Sequence, residues 1–369
     1  LTMYDLSQNG YTDKQIKKLL KENRQISFEC DLLNSQEKYV KTLHSIKGNV
    51  SFDAGAEIMG TASFAIAEEE VKGINLVDAR LSAYMLLLSP AGWLRFPLGV
   101  YIMTSPQIFS SGGHITYNVD CYDKSVILKE DKLTDRLYIP QGAKYDQEVR
   151  RIIATAGVTK VSIEGGNLTV PNALEFEIGT DKLTVVNDLL YAINYNPLHF
   201  DRTGTAVSER YIVPSGRRAE DEYLTDGLSI IRPGASRKQD LYNVPNVIIR
   251  YVENPDAEPL RSEYINDSAD SILSTVRRGR KIVDIEAVDD IADQKTLDDY
   301  TRRVAVEKSQ INDSMSLTTA LMPHHGYKDC YFVRHDKMGM AEKYIESSWS
   351  MEFVVGGSMT HNIKRITLI

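Results

Sequence analysis

The chain has 369 residues, 43 basic against 51 acidic for a net charge of −8, with 42% hydrophobic and 25% charged residues and a mean hydropathy of −0.29. That length exceeds one ordinary core, so two or three domains are expected, and the acidic balance speaks against general nucleic-acid binding. No apolar run reaches the ~18–20 residues of a membrane span; the longest, SAYMLLLSPAGWL and the strand after it, is broken by Pro90, Gly92 and Arg95.

In chain order, residues 11–23 read as a short helix. Thr12 with Gln15 forms a capping box, and Ile16, Leu19 and Leu20 make one apolar face. A helix this short must dock, in its own subunit or on a neighbour. No secretory signal precedes it. Cys30, Cys121 and Cys330 are odd in number and far apart, so buried reduced thiols are expected rather than a disulfide framework.

Residues 24–135 change to period two. ISFECDLL, KYVKTLHSI, NVSFD, TASFAIA, SAYMLLL, WLRFPLGVYIMTS and HITYNVDCYD read as seven strands, the pattern of a sandwich or small barrel. Pro97 and Gly99 place an edge or a bulge in the sixth. Residues 136–213 read as a small α/β module. Its first helix carries Tyr145, Val149, Ile152, Ile153 and Ala156 on one stripe. Its second, capped by Thr180, carries Leu183, Val186, Leu190 and Ile193. Residues 214–238 are rich in charge, Gly and Pro and read as a connection. Strands resume from 243 to the end of the chain. Among them lies the stretch 280–308: a strand with Ile282, Val283, Ile285 and Val288, an acidic corner, and a helix over 295–308 with Leu297, Tyr300 and Val304 on its buried face. The fold class is thus α+β, mainly β, with two β-barrel-like modules (24–135 and 214–369) flanking a small α/β module. Residues 207–235 can instead return to the first barrel.

The acidic corner, Asp284, Glu286, Asp289, Asp290 and Asp293, invites a metal-site reading. It lacks the Gly and the alternate ligand spacing of a Ca²⁺ loop, however, and carboxylates at a helix start cap it and complement its dipole. His324 and His325 are neighbours in an extended segment and point to opposite faces, poorly placed for one ion. No nucleophile elbow, phosphate loop, dinucleotide fingerprint or HExxH is present, so neither cofactor nor catalytic residue is nominated and a non-enzymatic role is expected. Arg277, Arg278 and Arg280 form a basic cluster without interleaved aromatics; with Ile16, Leu19 and Leu20 they are the interface candidates. Asn167, Asn266 and Asn312 match the glycosylation pattern, which without a secretory signal carries no weight.

The order of pieces resembles the baseplate hub family of phage tails, prophages and contractile injection systems. ISFECDLLNSQEKYVKTLHSIKGNVSFDAGAEIMGTASFAI is similar to the family's first β module, and LTVVNDLLYAINYNPLHFDRTGTAVSERY to its α/β segment. DLYNVPNVIIRYVEN, GRKIVDIEAVDDIADQKTLDDYTRRVAVEKS and SWSMEFVVGGSMTHNIKRI are similar to its second β module. The resemblance implies a homotrimeric ring of pseudo-sixfold symmetry in the virion tail, made in the bacterial host cytoplasm. Such a ring adapts a sixfold tail tube, or a distal tail protein, to a threefold spike or tail-tip protein. Two other roles stand beside it: a tail-associated cell-wall hydrolase using carboxylates such as Asp284 or Glu286, and a sugar-binding tail-tip module displaying exposed aromatics.

Overall fold

The computed structural model describes residues 4–366 except 78, 105, 227–228, 240–241, 253–259, 289–290 and 311–312. The chain is mainly β, with antiparallel sheets dominating. Helix α1 (Asp13–Lys21) has the expected capping box between Thr12 and Gln15, and Ile16 and Leu20 are buried. Next come β1 (Ile26–Leu33), β2 (Tyr39–Leu43), β3 (Ile46–Asp53), β4 (Gly60–Ala67), the single turn α2 (Glu68–Val71), β5 (Arg80–Ser89), β6 (Gly92–Met103), β7 (Gln107–Ser111) and β8 (His114–Asp123). Alternating burial on β1, β4 and β5 is the period-two pattern made physical. In β6 the Pro-Leu-Gly step is a bulge: Ala83 pairs with Gly99 and Tyr84 with Pro97, leaving Leu98 extra. Gly99 has φ +139° and a Cβ there would lie 2.5 Å from the Tyr101 ring, so no larger residue fits.

The α/β unit comprises α3 (Ser125–Glu130), β9 (Leu137–Ile139), α4 (Tyr145–Thr155), β10 (Val161–Ile163), β11 (Leu174–Phe176), α5 (Lys182–Tyr191), β12 (His199–Phe200) and β13 (Ala206–Ser208). Its core is Val149, Ile152 and Ile153 of α4 against Leu183, Val186 and Leu190 of α5. The cap of α5 is Asp181 rather than Thr180: its carboxylate accepts from Thr184 N and sits closer to the first turn's free N–H groups.

The remaining elements are β14 (Asp221–Leu224), β15 (Ser236–Gln239), β16 (Val247–Tyr251), β17 (Arg261–Ile265), α6 (Thr275–Arg278), β18 (Val283–Ala287), α7 (Gln294–Gln310), β19 (Asp313–Ala320), β20 (Cys330–His335), β21 (Met340–Phe353) and β22 (Ser358–Arg365). Two sequence expectations change here. The segment read as a connection contains β14, parallel to β20, and β15, antiparallel to β19, so neither pairs with the first barrel. Strands β16, β17 and β18 do not join the second barrel. They form a separate three-stranded sheet on which α7 lies, Val304 and Ala305 packing on Ile248 with Tyr300 and Tyr264 beside them. Strand periodicity marks a buried face but does not say which sheet it belongs to.

Among the described residues, fourteen strands share one sheet. Its main path runs β15-β19-β22-β21-β3-β4-β8-β6-β5-β1-β2, with β14 and β20 branching at β21 and β7 at β8. The two barrel-like modules are therefore joined edge to edge through β21. The first half of β21 pairs with β20, from Cys330↔Ile345 to His335↔Met340. The second half pairs with β3, from Ser348↔Asp53 to Phe353↔Gly48. A register shift between Glu346 and Ser348 separates the halves. That one-residue insertion resets the alternation. Tyr344 and Glu346 point inward before it, and Trp349, Met351 and Phe353 after it. Phe353 then fills the first module's core, its ring 4.5 Å from Phe28 and 5.3 Å from Phe64, while Trp349 stacks 6.1 Å from Phe52. The strand added to the first module's sheet beside β3 thus comes from residues 348–353, not from 207–235.

Candidate functional site

The residues singled out in the sequence separate into distinct environments. Ile16 and Leu20, 0% and 1% exposed, belong to the first module's own core, with Leu19 partly buried against it. Ile16 and Leu20 are thus covered within the chain itself, whereas Leu19 is partly exposed. Lys17 and Lys21 fix the arm from the other side, 3.9 and 3.8 Å from Asp221 on β14. Arg277 and Arg280 are exposed around α6, Arg280 lying 5.0 Å from the Tyr242 ring; Arg278 is half-buried and donates to Val244 O. Leu297 is 0% exposed under α7.

The acidic corner disperses. Asp284 Oδ1 is 2.6 Å from Arg250 and its other oxygen is held by Lys308. Burial raises the Asp284 carboxyl, but these two hydrogen-bonded cations outweigh it and hold it below its ordinary value. Glu286 lies 3.2 Å from the same guanidinium. Asp293 caps α7, accepting from Thr296 N at 2.7 Å. Asp289 and Asp290 lie outside the described residues.

The group that does converge was not visible in any local motif. It lies where β21 changes partner. Glu346 sits just before the register shift, His361 is on the inward face of β22 between Met359 and Ile363, and His325 comes from the loop before β20. The two imidazoles reach the two oxygens of one carboxylate: His325 Nδ1 is 2.7 Å from Oε2, and His361 Nδ1 is 2.6 Å from Oε1. All three residues are buried. The outer ring nitrogens are anchored as well, His325 Nε2 at 2.5 Å from the Tyr223 hydroxyl and His361 Nε2 at 2.8 Å from Thr319 Oγ1. Tyr331 OH stands 3.0 Å from both His325 Nδ1 and Asp329 Oδ2.

The loop holding His325 is fixed from the α/β unit. Arg202, in the β12–β13 turn, donates to the carbonyls of Pro323, His324 (2.8 Å) and His325 (2.9 Å). Contrary to expectation, His324 does not point to the opposite face: it lies in a turn with its ring 4.8 Å from that of His325, and its Nε2 is 3.0 Å from Asp221 Oδ2, an ion-pair distance outside hydrogen-bond geometry. Burial drives the cluster toward its uncharged forms, raising Glu346 and lowering His361 to about 4. Burial and the nearby Glu220 and Glu346 charges raise Asp329 to about 7. His325 and Asp329 also line a cavity of about 290 Å³ bounded by Phe52, Tyr101, His199 and Trp349. The available sequence signal was a histidine and a glutamate on inward positions of otherwise apolar strand faces.

This architecture is that of phage and prophage tail proteins, the class to which the sequence resemblance pointed. The tail protein of Neisseria meningitidis MC58 superposes with a TM-score of 0.66 at 11% identity, over 92% of this chain and 97% of that one. The 43 kDa tail protein of prophage MuSo2 from Shewanella oneidensis gives 0.61 at 12% identity, over 91% and 98%. A chain of the Francisella PdpA–VgrG complex gives 0.53 at 12% identity, over 96% of this chain and 56% of that one. No protein-family profile and no curated protein matches the chain by sequence. The likeness is therefore one of fold.

Proposed function

We propose that the chain is a structural, non-enzymatic hub of a phage-type tail, at the baseplate or tail tip. Three copies form a ring that adapts a sixfold tube, or a distal tail protein, to a threefold spike or tail-tip protein. The observation that carries this reading is the fusion of two barrel-like modules into one sheet through β21 and β3, within a fold shared along nearly its whole length with prophage tail proteins. Two modules per chain make six in a trimer, which is how a threefold assembly can present a sixfold face. Recurrence of the fold in a chain of the PdpA–VgrG complex supports a place inside a multi-protein assembly. The pairing of Asp284 and Glu286 with Arg250 favours this reading over a hydrolase that would use them.

Light scattering on the size-exclusion peak tests the ring. A trimer, or a monomer that trimerises when a tube or spike protein is added, is expected. A chain that stays monomeric and binds neither kind of component would overturn the proposal.

A further inference from the structure

We propose that His325, Glu346 and His361 form a binding site for one divalent first-row transition-metal ion, Zn²⁺ being the simplest occupant. The ion would tie β21, β22 and the loop before β20 together where β21 passes from one module to the other. The geometry supports this in three ways. First, the ligand atoms come from three separate segments and lie within 4.8 Å of one another, both Nδ1 atoms aimed at the same carboxylate. A four-coordinate Zn²⁺ has Zn–N of about 2.0–2.1 Å and Zn–O of about 2.0–2.2 Å, so modest separation of these atoms would admit it. Second, each imidazole has its outer nitrogen fixed by a hydroxyl, the second contact by which metal-bound histidines are oriented. Thr319 Oγ1 also lies 2.9 Å from Ala320 O, which can only accept. A hydroxyl has one proton; given to Ala320, it leaves Thr319 to accept from His361 Nε2–H. A neutral His361 then presents a bare Nδ1 lone pair to a carboxylate oxygen, an arrangement completed by a cation or a shared proton. Third, a further oxygen is at hand: Tyr331 OH stands 3.0 Å from His325 Nδ1, and His325 also borders the cavity that Asp329 lines.

The donor set fixes the class of ion. Two imidazole nitrogens and one carboxylate suit Zn²⁺ and its neighbours, whereas Ca²⁺ and Mg²⁺ require mainly oxygen ligands. Because the ligands are buried and two of them lie on neighbouring strands of the sheet, β21 and β22, the ion's role is structural. The inference does not depend on the ring.

The test uses the full chain, freed of metal with a chelator and dialysed against Zn²⁺ or Co²⁺. One equivalent of retained metal per chain is expected, with visible Co²⁺ ligand-field absorption and a Tm that falls with chelator and returns with Zn²⁺. His361→Ala and Glu346→Gln should weaken Co²⁺ binding by about 100-fold or more, whereas His324→Gln, next to the cluster but outside it, should leave the absorption unchanged. Should those variants fail to fold, the wild-type protein still decides the matter. Less than a tenth of an equivalent of retained metal, no Co²⁺ band and a chelator-insensitive Tm would mean that the three residues share protons only, and the proposal falls. An unchanged band in folded His361→Ala would also overturn it.

Discussion

The Asp221 carboxylate is flanked by Lys17, Lys21 and His324. Asp221 secures the arm. Burial would raise its carboxyl, but contact with His324 and the charges of Lys17 and Lys21 outweigh it and hold it well below the ordinary 3.8. A carboxylate with a depressed folded-state value contributes stability that is present above the unfolded value and lost as pH falls below it. Asp221→Asn should therefore lower stability at pH 7 by about 2 kcal/mol and release residues 13–21 to hydrogen exchange. The urea midpoints of the two proteins should begin to draw together as pH falls below about 4 and meet only as pH approaches the depressed folded-state value. Gly48 provides a second residue-scale test, because it pairs with Phe353 where the modules meet. A Cβ there would lie 1.9 Å from the backbone oxygen of Ser63, which cannot turn aside. Gly48→Ala should cost about 3 kcal/mol or more, read as a loss of Tm.

At the scale of elements, α7 acts as a strut. Its Leu297 is buried, its Arg303 donates to Tyr195 O in the α/β unit at 2.8 Å, and its Glu307 meets Lys328 beside β20 at 3.1 Å. Leu297→Asp puts a carboxylate in that interface and should destabilise by about 3–5 kcal/mol in thermal or urea melts. The strand and helix of this stretch were legible in the sequence, since Ile282 to Val288 alternates and Leu297, Tyr300 and Val304 recur at helical spacing. Seven of the eight strands from Ile26 to Asp123 were legible for the same reason, and Pro97 and Gly99 marked an edge or a bulge, of which the structure shows the bulge. β14 and β15 were not: Asp221, Glu222, Arg237 and Lys238 look like loop residues, and only pairing with β20 and β19 makes them strands. β7 is exposed throughout, so it shows no buried face to detect. The His325–Glu346–His361 cluster was illegible because its members meet only through tertiary structure. An inserted residue in β21 decides which way Glu346 points, and insertions of that kind leave no mark on composition.

For the molecule as a whole, the governing fact is that β21 serves both barrels. A fragment holding residues 24–135 retains Phe28 and Phe64 but lacks the Phe353 ring that covers them. Expressed alone, it should bind a hydrophobic dye and melt without a cooperative transition. A peptide of residues 340–365 added in trans should restore a sharp melt, as expected when a missing strand completes a sheet. If the fragment alone melts cooperatively, the first barrel closes without β21 and its dependence on the C-terminal strands is wrong.

That shared strand also sets a timetable for biosynthesis. Ser51 donates to Ser350 at 2.8 Å across 299 residues of sequence, so the joint forms only after residues 348–353 have left the ribosome. Until then the first barrel, translated early, carries an unpaired β3 edge and an uncovered core, the kind of surface that draws nascent chains into aggregates or chaperones. Contacts of such long range also favour slow folding. For this protein a strand translated about 300 residues later is the one that pairs with β3, and a chain terminated before residue 348 would leave that edge of the first module uncovered.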